Sequence, residues 1–291
     1  MMKGLPRKIQ SISGNITNVV LKKCLFLTIF IAVIITGSLT ITTLISSSAT
    51  SALCTYVTRS NTDSHSAPQV DALLHYATSR DIAQQTFNEI TLSLNVLRSI
   101  SPCNFLVFGL GHDSLMWAAF NPRGVTLFLE EDIKAVHTVL SRAPLLRVHA
   151  VRYDTRLSDA DDLLASYKSV KECLPPRLSL QGNVQCRLAL SELPHEVYRR
   201  EWDVIMIDAP KGYFAAAPGR MAVIFSAAVM ARGRKKPGLT HVFLHDVNRR
   251  VERMFAEEFL CKKYLVKAVD RLWHFAIPPA RDDGSKKISF C

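Results

Sequence analysis

The sequence predicts a doubly wound α/β domain with a ligand crevice at its strand tips, and three segments carry that prediction. Residues 104–114 read N-F-L-V-F-G-L-G-H-D-S, an apolar run that opens straight into a glycine turn. Residues 125–130 read V-T-L-F-L-E and continue with Glu131 and Asp132. Residues 202–210 read W-D-V-I-M-I-D-A-P. Strands that end in glycines or a carboxylate are how open parallel sheets build a pocket for a nucleotide-like ligand.

In chain order, the first feature is a charge-free stretch over residues 24–45. As a helix it measures ~33 Å, about the thickness of a hydrocarbon core. Gly37 and the threonines lower helix propensity, but threonine hydroxyls bond back to the helix inside a membrane. A cleaved signal peptide needs a shorter apolar run and a small-residue cleavage site, and residues 39–45 offer no clean one. An uncleaved transmembrane anchor is expected. Lys3, Arg7, Lys8, Lys22 and Lys23 precede it without an acid, and the first cation after it is Arg59. The positive-inside rule leaves residues 1–23 in the cytosol and sends the rest to the lumen, a single-pass type II arrangement. The one N-x-S/T sequon, at Asn15, then stays cytosolic. Residues 46–68, rich in Ser, Thr and Ala, read as a flexible stem before a lumenal domain over 69–291.

Two helices are expected between 69 and 97, with Val70, Leu73, Leu74 and Ala77 on the apolar face of one and Phe87, Ile90, Leu94 and Leu97 on that of the other. Strand and helix then alternate. Strands are expected over 104–108, 125–129, 147–151, 204–207 and 241–244. The intervening helices run through Leu115–Trp117, over 132–140, 161–168 and 219–232, and a strong amphipathic helix covers 247–259. Alternation of this kind implies a parallel sheet. Segments 267–269 and 272–277 would close it as an antiparallel hairpin, an arrangement found in S-adenosylmethionine-dependent methyltransferases.

Net charge is +11, and removing the five tail cations leaves +6, concentrated at 232–236, 249–250 and 262–263. No nucleic-acid motif accompanies these clusters; a solvated surface or an acidic glycan suits them. Seven cysteines include no C-x-x-C pair, which excludes a zinc ribbon. A lumenal domain permits disulfides, and Cys173 with Cys186, bracketing a proline-containing loop, is the expected pair.

The glycine turn Gly109-Leu110-Gly111 lets the backbone approach a ligand without a Cβ in the way. Glu130 or Glu131, at the end of the second strand, can accept hydrogen bonds from a ribose diol. Asp208 ends the fourth strand; His245 and Asp246 end the fifth. Strands four and five are neighbours in a doubly wound sheet, so these groups converge. Asp208 and Asp246, helped by His245, can bind a hard divalent cation; alternatively Asp208 or His245 removes a proton from an attacking hydroxyl. Asp246 also suits the N-cap of the helix that follows. Lys211 and Arg220, on the loop over the same pocket, can hold a carboxylate. Trp117, Trp202 and Trp273 are expected in the core.

These blocks resemble a plant family of xylan biosynthesis proteins, the glucuronoxylan methyltransferase and irregular-xylem-fifteen-like group. The resemblance covers residues 73–291 and rests on F-G-L-G-H-D-S-L-M-W (from Phe108), F-L-E-E-D (from Phe128), M-I-D-A-P-K-G-Y-F (from Met206), A-P-G-R-M (from Ala217), H-V-F-L-H-D-V-N-R-R-V-E (from His241) and R-L-W-H-F (from Arg271). The K-G-Y-F, L-H-D and R-L-W-H-F blocks look more like the irregular-xylem-fifteen branch. The resemblance implies Golgi membrane residence and a part in secondary-wall xylan biosynthesis, either with glucuronoxylan as acidic glycan substrate or as a noncatalytic member of a xylan-synthesising complex. In one branch it implies methyl transfer from S-adenosylmethionine to glucuronic acid with help from a divalent metal. Gly109, Gly111, His112, Asp113, Glu130 and Glu131 would then hold the cofactor, Asp208, His245 and Lys211 would serve catalysis, Lys211 or Arg220 the uronate, and Asp208 with Asp246 the metal. Val107 stands where methyltransferases usually carry an acid, and Asp113 where a third glycine is often found.

Overall fold

Strands β1 (Asn104–Phe108), β2 (Val125–Glu130), β3 (Arg147–Ala150), β4 (Val204–Ile207) and β5 (Thr240–Leu244) pair in parallel. Strand β7 (Leu272–Ile277) runs antiparallel to β5, and β6 (Leu265–Val269) antiparallel to β7. The order across the sheet is β3-β2-β1-β4-β5-β7-β6, the mixed seven-stranded Rossmann-like arrangement that the alternation and the terminal hairpin predict. This computed structural model describes residues 67–79, 83–175, 177–280 and 290–291. The expected anchor, its orientation and most of the stem lie outside the described residues, among which no helix is long and apolar enough to cross a membrane.

Because successive strand side chains face opposite ways, each buried strand feeds two cores. Leu106, Phe108, Leu127, Leu129, Ile205, Ile207, Val242 and Leu244 share one. Phe105, Val107, Phe128, Val204, Met206 and Phe243 share the other. The helices are α1 (Ala67–Thr78), α2 (Phe87–Ile100), α3 (Ser114–Ala119), α4 (Ile133–Arg142), α5 (Ala160–Ser166), α6 (His195–Arg199), α7 (Met221–Arg232) and α8 (Arg250–Phe255), the last prolonged by a π-helical turn over Ala256–Leu260. Helix α7 is apolar on nearly every side and buried against the first core, as an all-round hydrophobic helix must be.

Three local expectations give way. Leu73, Leu74 and Phe87 are exposed rather than inward. In α2 the buried positions are Glu89, Ser93 and Leu97. A capping box causes this: Thr86 Oγ1 accepts from Glu89 N–H and Glu89 Oε2 accepts from Thr86 N–H, while Glu89 Oε1 takes the Arg271 N–H at 2.7 Å. With Glu89 held inward, Phe87 must face out. Second, Asp246 is not the cap of α8, whose N-cap is Arg249. Asp246 adopts the left-handed conformation (φ 60°), and its carboxylate goes to arginines instead. The helix therefore starts at Arg250, not at 247. Third, α6 is present where no helix is expected.

The Cys173–Cys186 disulfide forms as expected, and a second, Cys261–Cys291, pins the C-terminus. Among the described cysteines Cys103 is free and buried. Trp117 and Trp202 are core residues; Trp273 is half-buried. Arg232 and Arg234 of the basic cluster are drawn into contacts with Phe290 O and Asp203, so that cluster is not a free basic face.

Candidate active site

Between β1 and β4 the strand order reverses, which is where an open α/β sheet leaves its crevice. A cavity of ≈ 520 Å³ opens there, large enough for a small-molecule ligand. Gly109, Gly111, His112, Asp113, Glu130 and Glu131 line one part of it; Asp208, Lys211, Arg220 and Asp246 line another. Nearly all the residues singled out in the sequence thus meet around one hollow. His245 does not line it.

Gly109 has φ 123°, a conformation glycine tolerates, and a Cβ there would lie 3.3 Å from the Ala209 Cβ. Its N–H donates to Leu129 O at 2.8 Å, tying the turn to β2. Gly111 is different: a Cβ would meet only Asp113 Oδ1 at 3.5 Å. Glu130 fastens the turn. Its Oε2 accepts from Leu110 N–H at 2.9 Å and its Oε1 from Asp132 N–H at 2.8 Å. Asp113 accepts from Trp117 Nε1 at 2.7 Å, a structural reason for an acid where a glycine is usual. Burial and the Asp208 charge raise its pKa. Burial likewise raises that of Glu131, whose Oε1 accepts from Lys211 N–H at 3.3 Å. His112 packs against His75 and Tyr76, and its carbonyl accepts from Tyr76 OH at 2.6 Å.

Asp208 is the centre of the other wall. Its Oδ1 takes His245 Nδ1 at 2.9 Å and Arg220 Nη2 at 3.2 Å, and its Oδ2 takes Gln85 Nε2 at 3.2 Å. Burial alone would lift its pKa, but the His245 hydrogen bond and the Arg220 charge outweigh burial and hold it below the ordinary carboxylate value. Burial alone would lower His245, yet the Asp208 hydrogen bond, with Asp208, Asp246 and Glu89 as negative neighbours, raises it. His245 is buried with Nε2 facing Glu89 Oε2 at 3.6 Å and no hydrogen-bond partner. It does not line the cavity but borders two residues that do, Asp208 at 2.9 Å and Asp246 at 3.8 Å, so it is a positioning residue for that wall.

Arg220, expected to hold a carboxylate of a ligand, is buried and used up. It donates to Pro210 O, His245 O and Asp208 O, and its Nη2 also reaches Asp246 Oδ2 at 3.0 Å. Asp246 is further bound by Arg249 Nη2 at 2.9 Å and Arg271 Nη1 at 3.0 Å. Lys211 is exposed at the cavity mouth, and among the described residues its ammonium makes no ion pair. Gln85, Glu89, Arg249 and Arg271 are site residues that sequence reasoning missed. The T-F-N-E capping signature at Thr86–Glu89 marks a helix start, not a site, and Arg249 and Arg271 stand in the resemblance blocks from His241 and Arg271 with nothing local that gives them a role.

Asp208, His245 and Asp246 each offer a ligand atom, and these atoms lie within 4.8 Å of one another. Two carboxylates and an imidazole suit a hard or borderline divalent cation. The buried Gln85 Oε1, beside Asp208 and without a donor, is a further oxygen there. The donor types suit such an ion, which would take the place of guanidinium contacts that now neutralise Asp208 and Asp246.

The model of the IRX15/IRX15L/GXM family matches residues 88–275. The chain belongs to that family. Within the IRX15/IRX15L/GXM family it is 64% identical over 212 residues to Arabinogalactan O-methyltransferase 1 of Arabidopsis thaliana, 73% of either chain. It is 48% identical over 225 residues to Glucuronoxylan 4-O-methyltransferase 1 of the same plant, 76% of this chain and 78% of that one. With Protein IRX15-LIKE, also from Arabidopsis thaliana, identity is 40% over 213 residues, 72% of this chain and 67% of that one. Overall identity to the arabinogalactan and glucuronoxylan relatives exceeds that to the irregular-xylem-fifteen-like one, so it does not favour that branch.

Proposed function

We propose that the chain is an O-methyltransferase that moves a methyl group from S-adenosylmethionine to a hydroxyl of an acidic plant cell-wall glycan, with arabinogalactan the preferred acceptor. The observation that carries this reading is the single cavity joining the glycine turn and the β2 acid to Asp208 at the tip of β4. The cofactor, when bound, supplies an electrophilic methyl group on its sulfonium. Gly109 leaves room for it, and Glu130 keeps a second lone pair on each oxygen for a ribose diol. Gly111, His112, Asp113 and Glu131 complete that wall. Asp208, held ionised, accepts the hydrogen bond of the acceptor hydroxyl and aims its oxygen lone pair at the methyl group. Asp208 takes the hydroxyl proton late, once the incoming methyl group has made that oxygen acidic, and passes it to solvent through the open cavity. Asp208, Asp246 and His245 would hold a divalent ion, which supplies Lewis acidity to ease loss of the hydroxyl proton. Lys211, whose ammonium makes no ion pair among the described residues, supplies a cation for a uronate.

Arabinogalactan is preferred on the 64% identity to a relative of that name. A second reading, methylation of glucuronic acid on glucuronoxylan, is favoured by the family and by 48% identity to a relative so named. Golgi residence as a type II protein rests on the charge-free stretch 24–45 and the cations before it; a part in a xylan-synthesising complex rests on the family alone.

The test is transfer of labelled methyl by the full-length chain to arabinogalactan and to glucuronoxylan, with and without a chelator. Label in arabinogalactan supports the first reading, and label in xylan alone replaces it with the second. No label in either, together with no calorimetric binding of S-adenosylmethionine, leaves a noncatalytic scaffold. Loss of label with the chelator, restored by added metal, supports the ion; unchanged label removes it.

A further inference from the structure

Two aromatic side chains stand out on the loop that follows β4. Tyr213 is 65% exposed and Phe214 48%, although aromatic rings normally contribute most when buried. They are not the tips of a loose loop. Gly219 N–H donates to Lys211 O at 2.9 Å and closes the loop at its base, and Ala217 N–H donates to Phe214 O at 2.9 Å across its turn. Leu157 and Ser158 N–H groups donate to Ala217 O and Ala215 O and dock the loop on the segment before α5. Pro210, Gly212 and Ala217 are buried beneath it. A backbone fixed at so many points aims both rings outward.

The rings are also positioned relative to each other and to charge. Their centroids are 5.2 Å apart with planes at 69°, and the Arg249 guanidinium lies 6.0 Å from the Tyr213 centroid. Arg249 is itself anchored to Asp246, so the Tyr213 ring is tethered to the site that holds Asp208. Tyr213 and Lys211 line the cavity; Phe214 does not. The order outward from the reacting centre is Asp208, then Lys211 with Tyr213, then Phe214. An apolar ring face beside an unpaired ammonium suits a ligand with C–H faces and a carboxylate, which describes a uronic acid within a sugar chain.

We propose that Tyr213 and Phe214 are the acceptor platform, Tyr213 stacking on the uronic acid whose carboxylate Lys211 takes and Phe214 on the next sugar along the chain. This rests on the glycan methyltransferase reading above and names the subsite that selects its acceptor. Each stacked ring contributes hydrophobic area, and the tether removes part of the ordering cost on binding.

The test uses the full-length chain with Tyr213→Ala, Phe214→Ala, the double variant and Tyr213→Phe. Glucuronic-acid-bearing arabinogalactan, its carboxyl-reduced form and a short uronic acid disaccharide serve as probes. Expected is a roughly tenfold rise in KM for the polymer in either single alanine variant, with S-adenosylmethionine affinity unchanged. Phe214→Ala should raise KM for the polymer far more than for the disaccharide, and Tyr213→Phe should restore most of the polymer affinity lost in Tyr213→Ala because stacking needs the ring, not the hydroxyl. Carboxyl reduction should raise KM for the wild type but add nothing in Lys211→Met. An unchanged polymer KM in the double variant overturns the proposal. So does loss of a bound protein partner with polymer KM intact, which would assign the rings to a protein interface. Retardation of the chain in gels containing the acidic glycan is read without cofactor. It judges the platform even if wild type moves no methyl, and in that case the function reading fails separately.

Discussion

Arg220 bonds Asp208 twice, through the backbone carbonyl and through Oδ1 at 3.2 Å, and the same Nη2 reaches Asp246 Oδ2 at 3.0 Å. One guanidinium therefore ties the tip of β4 to the tip of β5. Its planar fork makes this possible; an ammonium cannot serve that many acceptors at fixed angles.

Arg220→Met should be among the most destabilising substitutions in the domain. It takes the donor from three backbone carbonyls and a positive charge from between Asp208 and Asp246, at a cost of about 3–5 kcal/mol. For a domain of this size the thermal midpoint should fall on the order of 10 °C. Arg220→Lys keeps the charge but not the fork and should fall between. Thermal unfolding followed by circular dichroism decides it; a midpoint unchanged in Arg220→Met would refute the tie.

Asp208 and His245 should separate kinetically. Asp208 lines the cavity, while His245 stands behind it, bonded to Asp208 at 2.9 Å and 3.8 Å from Asp246. Asp208→Asn should lower kcat by about a hundredfold or more. His245→Gln, which still offers a donor toward Asp208, should cost about tenfold, as loss of an orienting partner does. Equal losses would mean that His245 meets the substrate directly.

Glu130 has a different task. Its two oxygens hold Leu110 and Asp132 N–H groups, and Glu130→Gln keeps only one acceptor. The turn should loosen and S-adenosylmethionine should bind roughly tenfold more weakly, the worth of one hydrogen bond to a charged group. Calorimetry reads this without any acceptor present. Glu131→Gln should weaken binding less, since Glu131 fixes no N–H of the glycine turn and bonds only Lys211 N–H at 3.3 Å among the described residues.

What the sequence made readable follows from where information is local. Strand limits at 104–108, 204–207 and 272–277 agree with β1, β4 and β7 because buried apolar runs end abruptly at Gly109, Asp208 and Pro278. Convergence of Gly109, Glu130, Asp208 and Asp246 followed from strand-tip placement alone. The arginines were not readable, because nothing local distinguishes Arg220, buried in a cage of carbonyls, from a surface cation such as Arg250. Nor was Asp246, whose cap-like position before a helix is overridden by three guanidinium groups in space. Leu73 and Phe87 misled for the same reason: periodicity gives a face, but long-range partners such as Arg271 on Glu89 decide which face turns inward.

His274 should make the domain acid-sensitive. It is buried, stacked on Phe243 with centroids 4.4 Å apart, and its Nε2 meets His241 Nδ1 at 2.9 Å. Burial, with the neighbouring His241 charge, pushes its pKa down from 6.5 to about 4; burial also lowers His241. The neutral ring is thus the folded form. Between pH 6.5 and 4 the unfolded chain binds a proton at this position that the folded chain refuses, so stability must fall as pH falls through that window. From pH 7 to 5 His274 alone should cost about 2 kcal/mol. The raised His245 does not mask this, because its contribution is already complete below 6.5 and is lost only as pH rises through its folded value. His274→Gln keeps a polar partner for His241 without a titrating ring, and it should flatten the denaturant midpoint between pH 7 and 5 relative to wild type. Parallel pH curves for the two proteins would show that the acid response arises elsewhere.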